Sequence, residues 1–428
     1  MTRKVIDKLI QWKKAGGIEP ILLTGAKGVG KTYLVYDFAK AFFEHIYYLN
    51  FQCDPRKKGL FVPGQEKETE QRLKQYFGIG EEESRDTGVL ILDEINYAGE
   101  ALEGLQIIQL RETFPYIICI SSSPVKDLEN LRELPVSPLE FDEFLGATGN
   151  EWYIDLIRTH YNNNTKLPDI VHKELLGLYH QYVEIGGMPG SINEFLSMAS
   201  TVNVSEQHRI AIGAFRDRII KDYCEADAFK MLQVMDSMSH QLIKENKKFQ
   251  YRLIRKGTTH SMYKEAIKQL GEINYAIKCN RISQESLDKA NETSDYKDIF
   301  QDEINSGFKL YLMDTGLLHT KIIQENEQLS KQSTARALLE NYMAQVLHAN
   351  QYPFAFWESD SIAKIDFIIY KDNNLIPIEI FTDQNTRSKS LSVFKQKYDY
   401  PYAIKVSAKN FEYSGNIKYV PIYAVFCI

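Results

Sequence analysis

Cysteine is scarce in this chain. Five occur in 428 residues, Cys53, Cys119, Cys224, Cys279 and Cys427, and none form a C-x-x-C pair. An odd, scattered set excludes a disulfide framework and a cysteine zinc site, and fits buried thiols in a reducing compartment. The nine histidines are equally dispersed and give no support to a histidine metal site. Long apolar runs are lacking too, since none approaches the roughly 18 residues of a membrane span. Met1 to Gly17 is charged, without the apolar segment of a secretory signal. A cytoplasmic protein with no membrane association is therefore expected. Charge of one sign is not in excess: 51 Lys and Arg stand against 57 Asp and Glu, a formal net charge of -6. That excludes a general polyanion-coating protein but leaves room for a local basic groove. The apolar share of 44% is ordinary for a globular chain. The length exceeds the roughly 250 to 300 residues at which one core stops growing, so two or three domains are expected.

What is present begins at Gly25-Ala26-Lys27-Gly28-Val29-Gly30-Lys31-Thr32, which fits G-x-x-x-x-G-K-[ST] at every fixed position. The apolar run Ile21-Leu22-Leu23 precedes it, and Tyr33 to Phe42 reads as a helix. Glycines let such a loop turn its backbone N–H groups inward, and the helix after it presents its positive end to phosphate. Lys31 is expected to reach the β- and γ-phosphates, the Thr32 hydroxyl to ligate magnesium, and Tyr33 to close the nucleotide-binding set. The plain alternative is a Gly-rich turn before a helix. Val89-Leu90-Ile91-Leu92-Asp93-Glu94 reads as a strand buried on both faces and ending in two acids. Asp93 is expected to hold the magnesium through water and Glu94 to polarise the attacking water. The alternative is a strand that ends in two solvated acids.

Arg3 to Lys14 reads as a helix in which Trp12 either borders a base or packs in the core. Ile46 to Phe51 reads as a strand, Glu66 to Phe77 as a polar helix, Glu81-Glu82-Glu83 as a solvated loop, and Glu100 to Phe114 as a helix. Tyr116 to Ile120 reads as a strand ending in Ser121-Ser122-Ser123, where Ser122 either meets the γ-phosphate or its water, or caps the next element. This alternation gives a parallel sheet with helices on both faces. Beyond Pro138 to Phe144 the chain turns mainly helical, with a break at Gly186-Gly187-Met188-Pro189-Gly190 expected to pack on the first domain. From Phe229 to Ile282 the order of elements suits a winged helix. Arg252, Arg255, Lys256 and Lys264 there are either phosphate contacts or a solvated face. Ser283 to Asn305 is polar and is the best linker segment. From Phe308 onward the chain returns to α/β. Asp366 and Glu379 stand at the carboxylate positions of a PD-(D/E)xK nuclease core, where two acids hold magnesium and a lysine follows the second. Phe381 occupies the lysine position. Lys364 and Asp366, two apart, project to one side of a strand, as do Glu379 and Phe381.

Together these residues make the chain resemble the bacterial and archaeal AAA-type ATPases whose C-terminal domain of unknown function is related to PD-(D/E)xK nucleases. Gly25 to Thr32, Leu90 to Glu94, Ser121 to Ser123, Pro138 to Phe144, Gly186 to Pro189, Asp314-Thr315-Gly316, Glu340-Asn341-Tyr342, Lys364 to Phe367 and Pro377 to Phe381 carry it. The resemblance implies ATP and Mg2+ as cofactors, with Ser122 in the role called sensor 1. It implies a P-loop domain at 1–145, a helical lid-like region at 146–225, a winged-helix-like region at 226–290, a linker at 291–307 and a restriction-endonuclease-like α/β domain at 308–428. Glu340, Lys364, Asp366 and Glu379 would form the degenerate nuclease site. The family's acid two residues before the aspartate is Lys364 here, its lysine is Phe381, and its Gly-Arg pair is missing from Asp127 to Val136, which holds only Arg132. The expectation is a Mg-dependent ATPase whose nucleotide state controls an inactive nuclease-like domain that binds DNA or a protein, with homo-oligomers possible. An ATP-gated metal nuclease and a non-hydrolysing ATP-binding module are the rivals.

Overall fold

The computed structural model describes residues 3–428 apart from 18, 81–86, 100–103, 126–127, 129–130, 199–202, 294–297, 301–306, 326–329 and 360–362. The acidic run Glu81 to Glu83 lies outside the described residues, as do 294–297 and 301–306 of the linker; the first half of Ser283 to Asn305, read as linker, is instead a helix, Gln284–Thr293, that buries Leu287 and Ala290. The chain divides into two compact units, residues 1–137 with 272–274, and residues 138–271 with 275–428.

The first unit runs α1 (Lys4–Lys14), β1 (Ile21–Thr24), α2 (Lys31–Phe42), β2 (His45–Asn50), α3 (Glu66–Phe77), β3 (Gly88–Asp93), α4 (Gly104–Gln109), β4 (Tyr116–Ile120) and β5 (Arg132–Pro135). Its strands form one parallel sheet in the order β2-β3-β4-β1-β5. Every residue of β3 is buried, as expected of a strand covered on both faces. Each of its buried aliphatic side chains contributes about 2 kcal/mol relative to exposure. The register sets Leu23 and Asp93 on either side of Ile120, so the carboxyl ends of β1, β4 and β3 are neighbours. Open parallel sheets bind ligands at that end. No local pattern announces β5. It is a short edge strand, Arg-Glu-Leu-Pro, in which Leu134 alone is buried, and charge and proline suit an edge. Trp12 is 2% exposed, donates from Nε1 to the Glu19 carbonyl at 2.7 Å and meets Tyr116 edge-on at 5.6 Å. It is a core residue.

The second unit begins with α5 (Phe141–Ala147), α6 (Trp152–Asn163), α7 (Asp169–Ile185), α8 (Pro189–Met198), α9 (Val204–Asp222), α10 (Glu225–Leu242) and α11 (His260–Glu272). Then come β6 (Ala276–Arg281), α12 (Gln284–Thr293), β7 (Phe308–Leu312), α13 (Thr315–Glu325), α14 (Lys331–Ala349), β8 (Phe354–Glu358), β9 (Lys364–Lys371) and β10 (Asn374–Ile380). The chain ends with α15 (Ser390–Lys395), β11 (Ala403–Ser407), β12 (Glu412–Ser414) and β13 (Ile417–Pro421). Its strands make one mixed sheet in the order β12-β13-β11-β10-β9-β8-β6-β7.

The structure draws boundaries where the sequence did not. β6, read as part of a winged-helix region, lies inside the large sheet, antiparallel to β7 and parallel to β8. The segments 226–290 and 308–428 thus share one sheet, because these pairings span stretches of chain that no local pattern records. Arg252, Arg255, Lys256 and Lys264 are exposed. Residues 138–145, read as the end of the first domain, belong to the second unit. Leu139 donates its N–H to the Gly187 carbonyl at 2.8 Å, and Tyr182 donates its hydroxyl to the Leu139 carbonyl at 2.7 Å. The glycine break therefore packs on Leu139, which the sequence reading placed in the first domain and which lies in the second unit. A Cβ on Gly187 would lie 2.2 Å from the Leu139 carbonyl oxygen, and one on Gly316 would lie 2.6 Å from the Gly186 backbone.

Asp314 is buried in the same contact and accepts N–H bonds from Gly187 at 2.6 Å and Leu317 at 3.0 Å. Burial pushes its carboxyl up to about 6, against those N–H donors. A raised carboxyl binds its proton in the folded state before it does in the unfolded chain, so its contribution favours folding as pH falls from about 6 to about 4. Relative to Asp314→Asn, the second unit should gain about 3 kcal/mol over that interval. Urea melts at several pH values check this. Parallel pH profiles in the two proteins would show that Asp314 titrates normally.

Candidate functional site

The loop between β1 and α2 is built as its residues dictate. Gly25, Gly28 and Gly30 have φ of 143°, 88° and 91°. A Cβ on Gly25 would lie 2.1 Å from the Val136 carbonyl oxygen, so only glycine fits there. Ala26 and Val29 are buried. Lys31 is 5% exposed and donates to the Gly25 and Ala26 carbonyls at 2.8 and 2.9 Å. Its ammonium is thus held over the loop at the positive end of α2, the arrangement that receives a phosphate. Lys27 is half-buried, Gly28 exposed and Tyr33 71% exposed. A residue the motif does not contain secures the loop: Arg3 donates to the Val29 carbonyl at 3.1 Å and to the Ser137 carbonyl at 2.6 Å. Sequence reading missed it, since an arginine ahead of a helix carries no pattern.

Asp93 ends β3 and is 1% exposed. Its Oδ2 accepts from Tyr48 at 2.6 Å, Thr32 at 3.0 Å and Asn50 at 3.1 Å, whereas its buried Oδ1 has no hydrogen-bond partner. The metal ligands expected from the sequence, Thr32 and Asp93, are therefore together. The Thr32 hydroxyl gives its proton to Asp93 and keeps lone pairs for a cation. Glu94 takes a left-handed backbone, φ 52°, uncommon for a non-glycine residue. Its Oε2 accepts the Ser122 hydroxyl at 2.5 Å. Ser121 donates to Asn96 Oδ1 at 3.1 Å. A triphosphate with a divalent metal fits this donor set: a cation over the loop, a hydroxyl beside a carboxylate with one free buried oxygen, and a second carboxylate on the next residue of the same strand end. Tyr48, Asn50 and Asn96 were not foreseen. The signal available was a polar Asn50 closing an otherwise apolar strand, with Tyr48 two residues before it on the same face.

The C-terminal acids are placed differently. Glu340 Oε1 accepts from Lys309 at 2.6 Å and Tyr311 at 2.7 Å, while Oε2 lies 3.4 Å from Lys247 and 3.6 Å from Arg336. Burial alone would raise its carboxyl, but the three cations hold it well below the usual range. Asp366 Oδ1 is paired with the Arg336 guanidinium, which also donates to the Ile380 carbonyl, and its Oδ2 accepts the Ile380 N–H at 2.8 Å. Glu379 accepts the Ser388 hydroxyl at 2.5 Å and lies 3.4 Å from Lys405. Burial raises its carboxyl against both. Lys364 is exposed and shares with Asp366 and Glu340 the lining of one cavity, whereas Glu379 is buried outside that lining. A cavity of about 670 Å³ opens over Arg336, Lys309, Glu340 and Asp366. Among the described residues no three acidic, histidine or cysteine side chains are grouped to hold a metal. A metal does not fit here, because the chain's own cations engage each carboxylate.

Three family models match parts of the chain, the first of them running past the boundary at Ser137. Residues 18–145 match the AAA domain, residues 176–328 a domain of unknown function (DUF8612), and residues 335–425 another (DUF4143). No curated protein matches the chain significantly. Among solved structures, the Walker-type ATPase paby2304 of Pyrococcus abyssi is similar at 12% identity, over 75% of this chain and 95% of that one, with a TM-score of 0.42. The Pif1 helicase of Candida albicans is similar at 14% identity, over 41% and 47%, with a TM-score of 0.24. PCH-2 of C. elegans is similar at 19% identity, over 36% and 44%, with a TM-score of 0.22. Among the described residues no helix is long and apolar enough to cross a membrane. Residues 18–145 are thus similar to an AAA domain and contain the phosphate-loop motif Gly25 to Thr32.

Proposed function

We propose that the first unit binds ATP with Mg2+ and hydrolyses it slowly. We further propose that the second unit is a metal-free binding domain for DNA or a protein, engaged according to nucleotide state. The observation that carries the first part is the convergence on one sheet end of Lys31, Thr32, Asp93, Glu94 and Ser122. Lys31 would neutralise charge on the β- and γ-phosphates, and the loop N–H groups would cradle them. Thr32 and Asp93 would hold the metal, which when bound withdraws charge from the phosphate oxygens. Glu94 would accept the proton of the attacking water as the bond from the γ-phosphorus to the bridging oxygen breaks, giving ADP and phosphate. The Ser122 hydroxyl keeps the Glu94 carboxylate in one orientation. Ion pairing of Asp366, Glu340 and Glu379 weighs against the nuclease rival, so DNA should stay intact with Mg2+ or Mn2+.

The test is phosphate release by the purified chain. Glu94→Gln should keep its affinity for ATP and lose about a hundredfold or more in turnover, the share supplied by a positioned general base. Equal turnover in wild type and variant would remove Glu94 from the reaction. Tight ATP binding with negligible turnover in both would favour the non-hydrolysing module.

A further inference from the structure

We infer that Tyr48 is a positioning residue for the metal. Its phenol, with Asn50, anchors one oxygen of Asp93 so that the other is the only one offered to Mg2+. This rests on the ATPase reading above and adds to it a pair of residues that the motifs do not contain.

Three donors, from Tyr48, Thr32 and Asn50, end on Asp93 Oδ2 at 2.6, 3.0 and 3.1 Å. A carboxylate oxygen has two lone pairs in its plane, so Oδ2 is saturated. Oδ1 is buried with no hydrogen-bond partner, a costly state for a free acceptor unless something cationic uses it. The terminal torsion of an aspartate is broad and nearly two-fold, so nothing intrinsic to Asp93 tells its oxygens apart. The distinction comes from β2. Asn50 stands directly opposite Asp93 in the β2–β3 ladder, and Tyr48 shares its face two residues earlier. Asn50 is itself fixed, because its Oδ1 accepts the Cys53 N–H at 2.8 Å and its amide also donates to the Tyr48 hydroxyl at 3.2 Å. The shortest bond of the set is that of Tyr48. An ordinary phenol keeps its proton at physiological pH, so it stays a donor.

The test separates metal placement from folding and from nucleotide binding. Affinity for a non-hydrolysable ATP analogue is measured by titration calorimetry in excess EDTA and in Mg2+. In the wild type Mg2+ should tighten binding. In Tyr48→Phe the EDTA affinity should be unchanged, while the gain from Mg2+ shrinks by about tenfold or more, the usual loss when a partner orienting a metal ligand is removed. A full Mg2+ gain in Tyr48→Phe overturns the inference and leaves the ATPase reading intact. Equal loss with and without Mg2+ also overturns it, since Tyr48 would then be only structural. A wild type that binds the analogue under neither condition defeats the ATPase reading itself, and this inference with it.

Discussion

Lys31→Ala is expected to abolish nucleotide binding at ordinary concentrations. The ammonium is 5% exposed and already held over the loop by the Gly25 and Ala26 carbonyls, so a phosphate meets a placed charge. Hydrogen bonds to charged groups contribute about 1.5 to 3 kcal/mol each, and losing two of them weakens binding by about a hundredfold or more. The fold should survive, because the loop is also secured through Arg3 and the start of α2. Calorimetric titration of ATP, with thermal melting as the folding control, reads both quantities. Undiminished ATP affinity in a folded Lys31→Ala protein would mean that the loop does not hold phosphate.

Glu340→Ala should cost the second unit about 3 to 5 kcal/mol, the price of stripping the partner from buried charges. Lys309, Lys247 and Arg336 all lie against this one carboxylate; Arg336 is also paired with Asp366, and Lys309 lies 4.7 Å from the centre of the Phe356 ring. With typical stabilities of about 5 to 15 kcal/mol, that loss is severe. Replacing Glu340 and Lys309 together with Leu and Met should recover part of it, since the cost is the uncompensated charge, not the missing contact. Urea unfolding followed by far-UV circular dichroism measures both. A single-variant loss under about 1 kcal/mol would place the cluster in contact with water.

The same cluster shows what a sequence conceals. Asp366 and Glu379 stand at the spacing of a metal site, and Phe381 already argued against one. Arg336 does not neighbour Asp366 in the chain, and nothing local announces that its guanidinium will sit on that carboxylate. The buried polar residues of α14 are similar. Asn341 bonds the N–H of Leu312 at 2.8 Å and its carbonyl at 3.1 Å, and Gln345 accepts from Thr315 at 3.0 Å. In sequence they are polar residues in an apolar helix, and only the fold names their partners.

The phosphate loop, the paired acids of β3 and most strands and helices were decided by the chain itself, because each rests on contiguous residues whose conformational limits and burial period are local. Folding in three dimensions decided the rest: the edge strand β5, the sheet that joins β6 to the C-terminal strands, the boundary after Ser137, and the partners of Asp93, Glu94 and Asp366. Each of these depends on groups brought together from distant positions. A charge or hydroxyl has no distinct meaning until its partner and its burial are set.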